Sequence, residues 1–186
     1  MHPSLKITQI EGKGRGIIAI AFIPKDSLLM REHCFYSKST EVNTEVEEKF
    51  EKLTPFGGTI SEKMKYNAFD DFRTYLYISM INHSCNANSY VIDDEDDNTH
   101  NTMYVYSCRD INEGEEVTIS YLEPECYYMS KAMINVARET QRKRLMKYWG
   151  FECNCSFCSG GSDVIDWYCP VPKGCSASHL IDFPSI

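Results

Sequence analysis

The chain has 186 residues, of which 42% are hydrophobic, and a formal net charge of −8. That is enough apolar content for one compact core and too much for global disorder. The acidic balance argues against direct nucleic-acid binding, which draws on clustered positive charge, and suits a basic partner such as a lysine-rich peptide.

No apolar run approaches the ~20 residues of a membrane span. The opening Met1-His2-Pro3-Ser4-Leu5-Lys6 has no apolar signal core. An intracellular protein, nuclear or cytoplasmic, without membrane association is therefore expected. The nine cysteines are an odd number, which speaks against a small secreted disulfide scaffold and for metal binding in a reducing compartment.

In chain order, residues 5–10 partly alternate and predict a strand with Leu5 and Ile7 on one face. Gly12, Gly14 and Gly16 interrupt it. Residues 17–23 are a β-branched apolar run that predicts a buried strand, Pro24-Lys25-Asp26 a turn, and 27–36 the returning strand. Val46, Phe50 and Leu53, at i, i+4 and i+7, predict an amphipathic helix within 40–53, with Thr44 as its N-cap. Pro55-Phe56-Gly57-Gly58 breaks that helix. Residues 67–81 are apolar and aromatic and predict a second helical stretch. The acidic run 93–98 resists packing and predicts an exposed hairpin loop. Residues 103–108 and 116–121 predict strands joined through Asn112-Glu113-Gly114. Residues 130–149 predict a helix capped by Ser130, with Arg142, Lys143, Arg144 and Lys147 suiting its C-terminal end and Gly150 stopping it. A cysteine-rich tail follows, and there is no internal repeat.

Four motifs bear on chemistry. Cys153-Asn154-Cys155-Ser156-Phe157-Cys158 places three thiols close together. Three thiolates can converge on a zinc ion, which takes a fourth ligand in a tetrahedron. Candidates for that fourth are Cys85, Cys169, Cys175 and His179. Gly12-Lys13-Gly14-Arg15-Gly16 permits close approach of backbone to a ligand. It lacks the Lys-Ser/Thr of a phosphate loop and leads into a strand, so by itself it reads as a hairpin turn. Asn82-His83-Ser84-Cys85 is a polar run after an apolar stretch, and buried polar groups need partners. By itself His83 reads equally as a satisfied core histidine. Val117, Ile119 and Tyr121 share one strand face, and a tyrosine at a strand end reads as a core ring with its hydroxyl at the edge.

Together and in this order, Gly-Lys-Gly-Arg-Gly, Asn-His-Ser-Cys, Gly114-Glu115-Glu116-Val117-Thr118-Ile119-Ser120-Tyr121 and Cys-x-Cys-x-x-Cys resemble the SET-domain protein-lysine methyltransferases over residues 5–158. Tyr148-Trp149-Gly150-Phe151-Glu152-Cys153 is similar to the SET-and-MYND branch and to short fungal-type SET proteins. The MYND finger is missing, since the insert at 37–75 has no cysteine.

The resemblance implies a mainly β fold with helices: small β-sheets with a knot-like C-terminal threading, a SET domain over 1–149 and a cysteine-rich post-SET segment over 150–186. It implies methyl transfer from S-adenosylmethionine to the side-chain amine of a lysine in a protein or peptide, histone or not, by a monomer that also holds zinc. A SET-fold enzyme acting on a small molecule, or a non-catalytic partner-binding module, is the alternative. In the family pattern the backbone at Lys13, Gly14 and Arg15 lies against the cofactor. Asn82 and His83 bind its amino and adenine ends, and Phe151 stacks on adenine. Tyr121 is the catalytic tyrosine, and Cys85 completes zinc with Cys153, Cys155 and Cys158. Tyr104, Tyr106, Tyr127 and Tyr128 are further candidates for a lysine channel, and Asn67, in Tyr66-Asn67-Ala68-Phe69, resembles an insert motif. One departure is Ala87, where the family usually has proline, which loosens the turn. Trp167-Tyr168-Cys169-Pro170 and Lys173-Gly174-Cys175 are expected to pack over the substrate groove rather than to bind a second metal with His179.

Overall fold

The computed structural model describes residues 1–53, 58–69, 72–94, 101–122 and 131–160. The chain opens as a hairpin in which β1 (Leu5–Ile10) pairs antiparallel with β2 (Gly14–Ala19). Gly12 and Gly14 have φ of 72° and 81°, the left-handed region that glycine enters without a Cβ clash. The reversal is therefore made by the glycines themselves, and β2 starts at Gly14, ahead of the β-branched run. It also ends earlier than expected. Ile20 and Phe22 face solvent, while Ile23 is buried and makes only an isolated bridge to Ile111.

β3 (Leu28–His33), β5 (Ser89–Asp93) and β6 (Thr102–Ser107) form an antiparallel sheet in the order β3-β6-β5. β7 (Glu116–Ile119) pairs antiparallel with β2 and parallel with the two-residue β4 (Asn82–His83), completing a second sheet in the order β1-β2-β7-β4. Ile17, Leu29, Tyr75, Ile78, Val105 and Val117 join the main core.

α1 (Thr44–Glu51) buries Val46 and Phe50, and Leu53 beyond its end joins the same small core. Its N-cap is Asn43 rather than Thr44: Asn43 Oδ1 accepts from the Val46 N–H at 3.0 Å, and Thr44 is the first helical residue. α2 (Ile60–Asn67) is short, charge-rich and not foreseen. A capping box between Thr59 and Glu62 starts it, and the buried Lys63 ammonium donates to the Phe50 carbonyl at the end of α1 (2.9 Å).

The helix expected over 67–81 does not form. Asn67 is the last residue of α2, Thr74 makes bridges to Tyr36 and Ala68, and Ile78–Met80 makes a single 3-10 turn. Glu32 on β3 explains this. Its carboxylate accepts from the N–H groups of Leu76 (2.8 Å), Tyr77 (3.0 Å) and Ile78 (2.9 Å). A distant side chain thus takes the donors that a helical ladder would need. The acidic run also differs from expectation where it is described. Asp93 ends β5 in a bidentate pair with the buried Arg73 (2.9 and 3.2 Å). Residues 95–98 lie outside the described residues.

β7 stops at Ile119, short of the expected 121, and Ser120 turns the chain by donating to the Leu122 carbonyl. α3 (Lys131–Trp149) ends where expected. Gly150 has φ 74° and its N–H donates to the Leu145 and Met146 carbonyls. The expected cap Ser130 lies outside the described residues. Arg142 does more than suit a helix end, because its guanidinium donates to the Cys158 carbonyl at 2.6 Å and ties the tail to α3.

Glu32→Ala leaves three main-chain donors without a partner, and about 3 kcal/mol of stability is expected to be lost. Urea unfolding measures it. A change below about 0.5 kcal/mol, the size of an ordinary surface substitution, contradicts this role for Glu32.

Candidate cofactor and metal site

The parallel pairing of β4 with β7 places Asn82 beside Thr118 and His83 beside Ile119. Asn88 reinforces it. Nearly fully buried, it accepts from the Thr118 N–H at 2.9 Å and donates to the Glu116 carbonyl at 2.8 Å and to Glu115 Oε1 at 2.9 Å. The turn at Ala87 is thus held by its neighbour, with the Ala87 carbonyl also accepting from the Cys108 thiol at 3.5 Å.

Asn82 reaches the glycine turn. Its Nδ2 donates to the Arg15 carbonyl (3.1 Å) and to Glu116 Oε1 (2.8 Å), while Glu116 Oε2 accepts from the Lys13 ammonium (2.5 Å). Gly16 makes room for this. A Cβ there would stand 2.6 Å from Asn82 Nδ2 and 3.1 Å from Glu116 Oε1. Lys13 and Asn82 are therefore joined through Glu116, which sequence reasoning did not single out, and Asn82 in turn holds the Arg15 carbonyl.

His83 faces the other way and joins two further segments. Its Nδ1 accepts from the Tyr121 main-chain N–H at 3.0 Å, so the ring proton sits on Nε2, 3.2 Å from Cys85 Sγ. Tyr121 does not continue the β7 strand face as expected. It is fixed by that N–H and by its hydroxyl, which donates to the Ile81 carbonyl at 2.8 Å. Burial, with the Glu116 charge as a lesser cause, pushes its phenol well above the usual range, so the hydroxyl keeps its proton.

Three rings gather on Tyr121: His83 at 5.3 Å, Trp149 at 5.5 Å and Phe151 at 6.4 Å between centroids. Phe151 also lies 6.0 Å from His83. Trp149 was not foreseen as a site residue; its closeness in sequence to Phe151 is the signal that was available. Tyr104 and Tyr106 do not belong to this group. They stack on each other along the three-stranded sheet, Tyr106 against Tyr90 and Tyr104 beneath the Arg31 guanidinium. Tyr127 and Tyr128 lie outside the described residues. Asn67 closes the end of α2, donating to the Lys63 carbonyl at 2.7 Å while its own carbonyl accepts from Ser79.

Cys85, Cys153, Cys155 and Cys158 come together, with their sulfurs all within 4.8 Å of one another. The separation from Cys85 Sγ to Cys158 Sγ is 3.6 Å. A tetrahedral ion with bonds of ~2.3 Å needs sulfurs about 3.8 Å apart, so the donor set fits zinc in both chemistry and spacing. Of the fourth ligands left open by the tail motif, the fold brings in Cys85; Cys169, Cys175 and His179 lie outside the described residues. The thiols share protons. Hydrogen bonds from Cys155, Cys158 and Cys85 hold Cys153 far below the usual thiol range, and those with Cys153, Cys155 and Cys158 hold Cys85 far above it. A divalent ion binding here displaces the retained protons.

The sequence profile of the SET domain matches residues 14–122. The chain is 30% identical over 109 residues to the histone-lysine N-methyltransferase SET5 of Saccharomyces cerevisiae, covering 59% of this chain and 17% of that protein. It is 32% identical over 84 residues to a SET and MYND domain-containing protein of Dictyostelium discoideum, covering 45% and 20%. It is 33% identical over 84 residues to human histone-lysine N-methyltransferase SMYD3, covering 45% and 16%. The matched part is a fifth or less of the length of each of these relatives. Among solved structures, the Neurospora SET domain protein DIM-5, a histone lysine methyltransferase, is similar at a TM-score of 0.42 and 20% identity, covering 68% of this chain and 55% of that one. No helix among the described residues is long and apolar enough to cross a membrane. With the profile covering more than half of its length, from the glycine turn through Tyr121, the chain belongs to the SET-domain family.

Proposed function

We propose that this chain transfers the methyl group of S-adenosylmethionine to the side-chain amine of a lysine in a protein, with histones as one candidate class, and that zinc holds the tail in place. The observation that carries this reading is the meeting of the glycine turn, Asn82, His83, Tyr121 and Phe151, which come from four separate segments of the chain. The histone-lysine methyltransferase names of several relatives support it. The SET core is read as residues 1–149 and the post-SET segment as 150–186.

When bound, the cofactor supplies an electrophilic sulfonium methyl. The chain's own residues set the geometry for its transfer. Main chain at 13–15 and the Asn82 amide receive the amino-acid end, while Phe151 offers a ring face to adenine. Transfer would need the lysine nitrogen, its proton already given up to solvent, held in line with the methyl so that the N–C bond could form as the S–C bond broke and the bonding pair left with the sulfur. Alignment is therefore much of the catalysis. Tyr121 keeps its proton and is no base; its oxygen, oriented by the Ile81 carbonyl, fixes the methyl and the incoming nitrogen. A lysine amine has a pKa near ~10.4 and must be neutral to attack. The aromatic walls, Trp149 among them, disfavour the ammonium and ease its deprotonation.

Cys85, Cys153, Cys155 and Cys158 would hold the zinc, and the chemistry it supplies is structural. Held there, it would fasten the segment carrying Phe151 to the residue two places after His83.

Methyl transfer from labelled S-adenosylmethionine, offered a histone mixture and a whole-cell lysate, tests the function. Label is expected in a protein band, rising with pH toward the pKa of the target amine, and Tyr121→Phe is expected to lose about a hundredfold or more of the rate. Cofactor binding without label in any protein overturns the reading in favour of a small-molecule substrate or a partner-binding module.

Cys155→Ser removes one ligand. Zinc content is expected to fall well below one ion per chain, with weakened cofactor affinity, and zinc affinity of the wild type is expected to decline as pH falls and protons compete for the thiolates. Elemental analysis and chelator titration measure both. Full cofactor affinity and turnover in the Cys155→Ser chain contradict the zinc role.

A further inference from the structure

Glu116 stands beside the glycine turn, and no motif role has been given to it. Each of its carboxylate oxygens has a separate partner: Oε1 accepts from Asn82 Nδ2 at 2.8 Å and Oε2 from Lys13 Nζ. Asn82 Nδ2 has a second acceptor in the Arg15 carbonyl at 3.1 Å. Both hydrogens of the amide nitrogen therefore point at oxygens. A flipped amide would set its own oxygen against a carbonyl and a carboxylate at once, with no proton between them. Asn82 Oδ1 is thus turned away from Arg15 and Glu116, and among the described residues it has no hydrogen-bond partner. An oxygen held in that attitude accepts and cannot donate. It suits an ammonium and not a carboxylate.

From this arrangement we infer that Glu116 is a positioning residue for the cofactor's α-amino group. It polarises and locks the Asn82 amide so that Oδ1 is presented to the ammonium, and it keeps the Lys13 ammonium occupied on the far side. The glycine at position 16 belongs to the same device, since any Cβ there would strike the Asn82 amide and crowd the carboxylate. Charge-assisted hydrogen bonds such as the one from Asn82 to Glu116 are stronger than neutral ones, so loss of the charge loosens the lock without emptying the space. This inference rests on the cofactor assignment above and adds a determinant of its amino-acid end.

Two ligands separate positioning from general damage: S-adenosylhomocysteine, which carries the α-amino acid, and 5′-methylthioadenosine, which lacks it. Both are titrated calorimetrically against the zinc-loaded wild type, Glu116→Gln, Asn82→Ala and the double variant. Glu116→Gln is expected to weaken S-adenosylhomocysteine about tenfold, the scale of one charge-assisted hydrogen bond, and to leave 5′-methylthioadenosine within about twofold. The double variant is expected to be no weaker than Asn82→Ala alone, because Glu116 acts through Asn82. Equal loss for both ligands, an additive double variant or an unchanged affinity overturns the inference. If the glutamine chain does not fold, Glu116→Asp, which keeps the charge on β7 but draws it back from Asn82, is read by the same criteria. Failure of the wild type to bind either ligand overturns the cofactor assignment itself, a result distinct from any of these.

Discussion

Two main-chain pairings, Asn82 with Thr118 and His83 with Ile119, hold the rest of the site in place. Two residues of parallel strand are too few to be stable alone. They are stabilised by side chains that act as extra ladder partners. Asn88 supplies three hydrogen bonds to β7 and Glu115, and Ser89 donates to the Thr118 carbonyl at 2.8 Å. Because strand neighbours face alternate ways, successive residues of β4 serve different ends. Asn82 turns to the glycine turn and Glu116, and His83 turns to Tyr121 and Cys85.

His83 carries the connection onward. Its two ring nitrogens have fixed and opposite tasks, one accepting from the Tyr121 main chain and the other directed at a sulfur of the thiol set. The tail is held independently by α3, through the Arg142 guanidinium on the Cys158 carbonyl and the Arg138 guanidinium over the Phe157 ring at 5.0 Å. The aromatic cluster on Tyr121 is thus assembled from β4 (His83), the turn after β7 (Tyr121), the end of α3 (Trp149) and the segment beyond it (Phe151). A metal at the four thiols would bind the segment after β4 to the tail beyond α3.

Much of this was legible in the sequence where the signal is local. Val46 and Phe50 lie on one face of α1 and are buried, with Leu53 beyond its end in the same core, the glycines make the turn their spacing permits, and the three tail thiols converge as their spacing predicted. What was not legible depends on partners far along the chain. The stretch 67–81 looked helical from its apolar and aromatic content, yet Glu32, more than forty residues away, accepts from three of its main-chain donors. α2 has too few apolar residues to show a periodic face, and its capping box was the signal passed over. β4 is shorter than any periodicity, and β5 borders the acidic run, whose charge hid the fact that Asp93 has a buried arginine to meet. Glu116 and Asn88 are ordinary polar residues in sequence; only the close approach allowed by Gly16 and the pairing with β7 gives them their tasks.

The most direct measurement is a crystal structure of the full chain with S-adenosylhomocysteine bound. Adenine density is expected against the Phe151 ring, with the α-ammonium at Asn82 Oδ1 beside the Arg15 main chain and the sulfur turned toward the Tyr121 hydroxyl. Density for the nucleoside elsewhere on the surface, or none at a concentration that saturates other members of the family, contradicts the assignment of this junction as the methyl-transfer site.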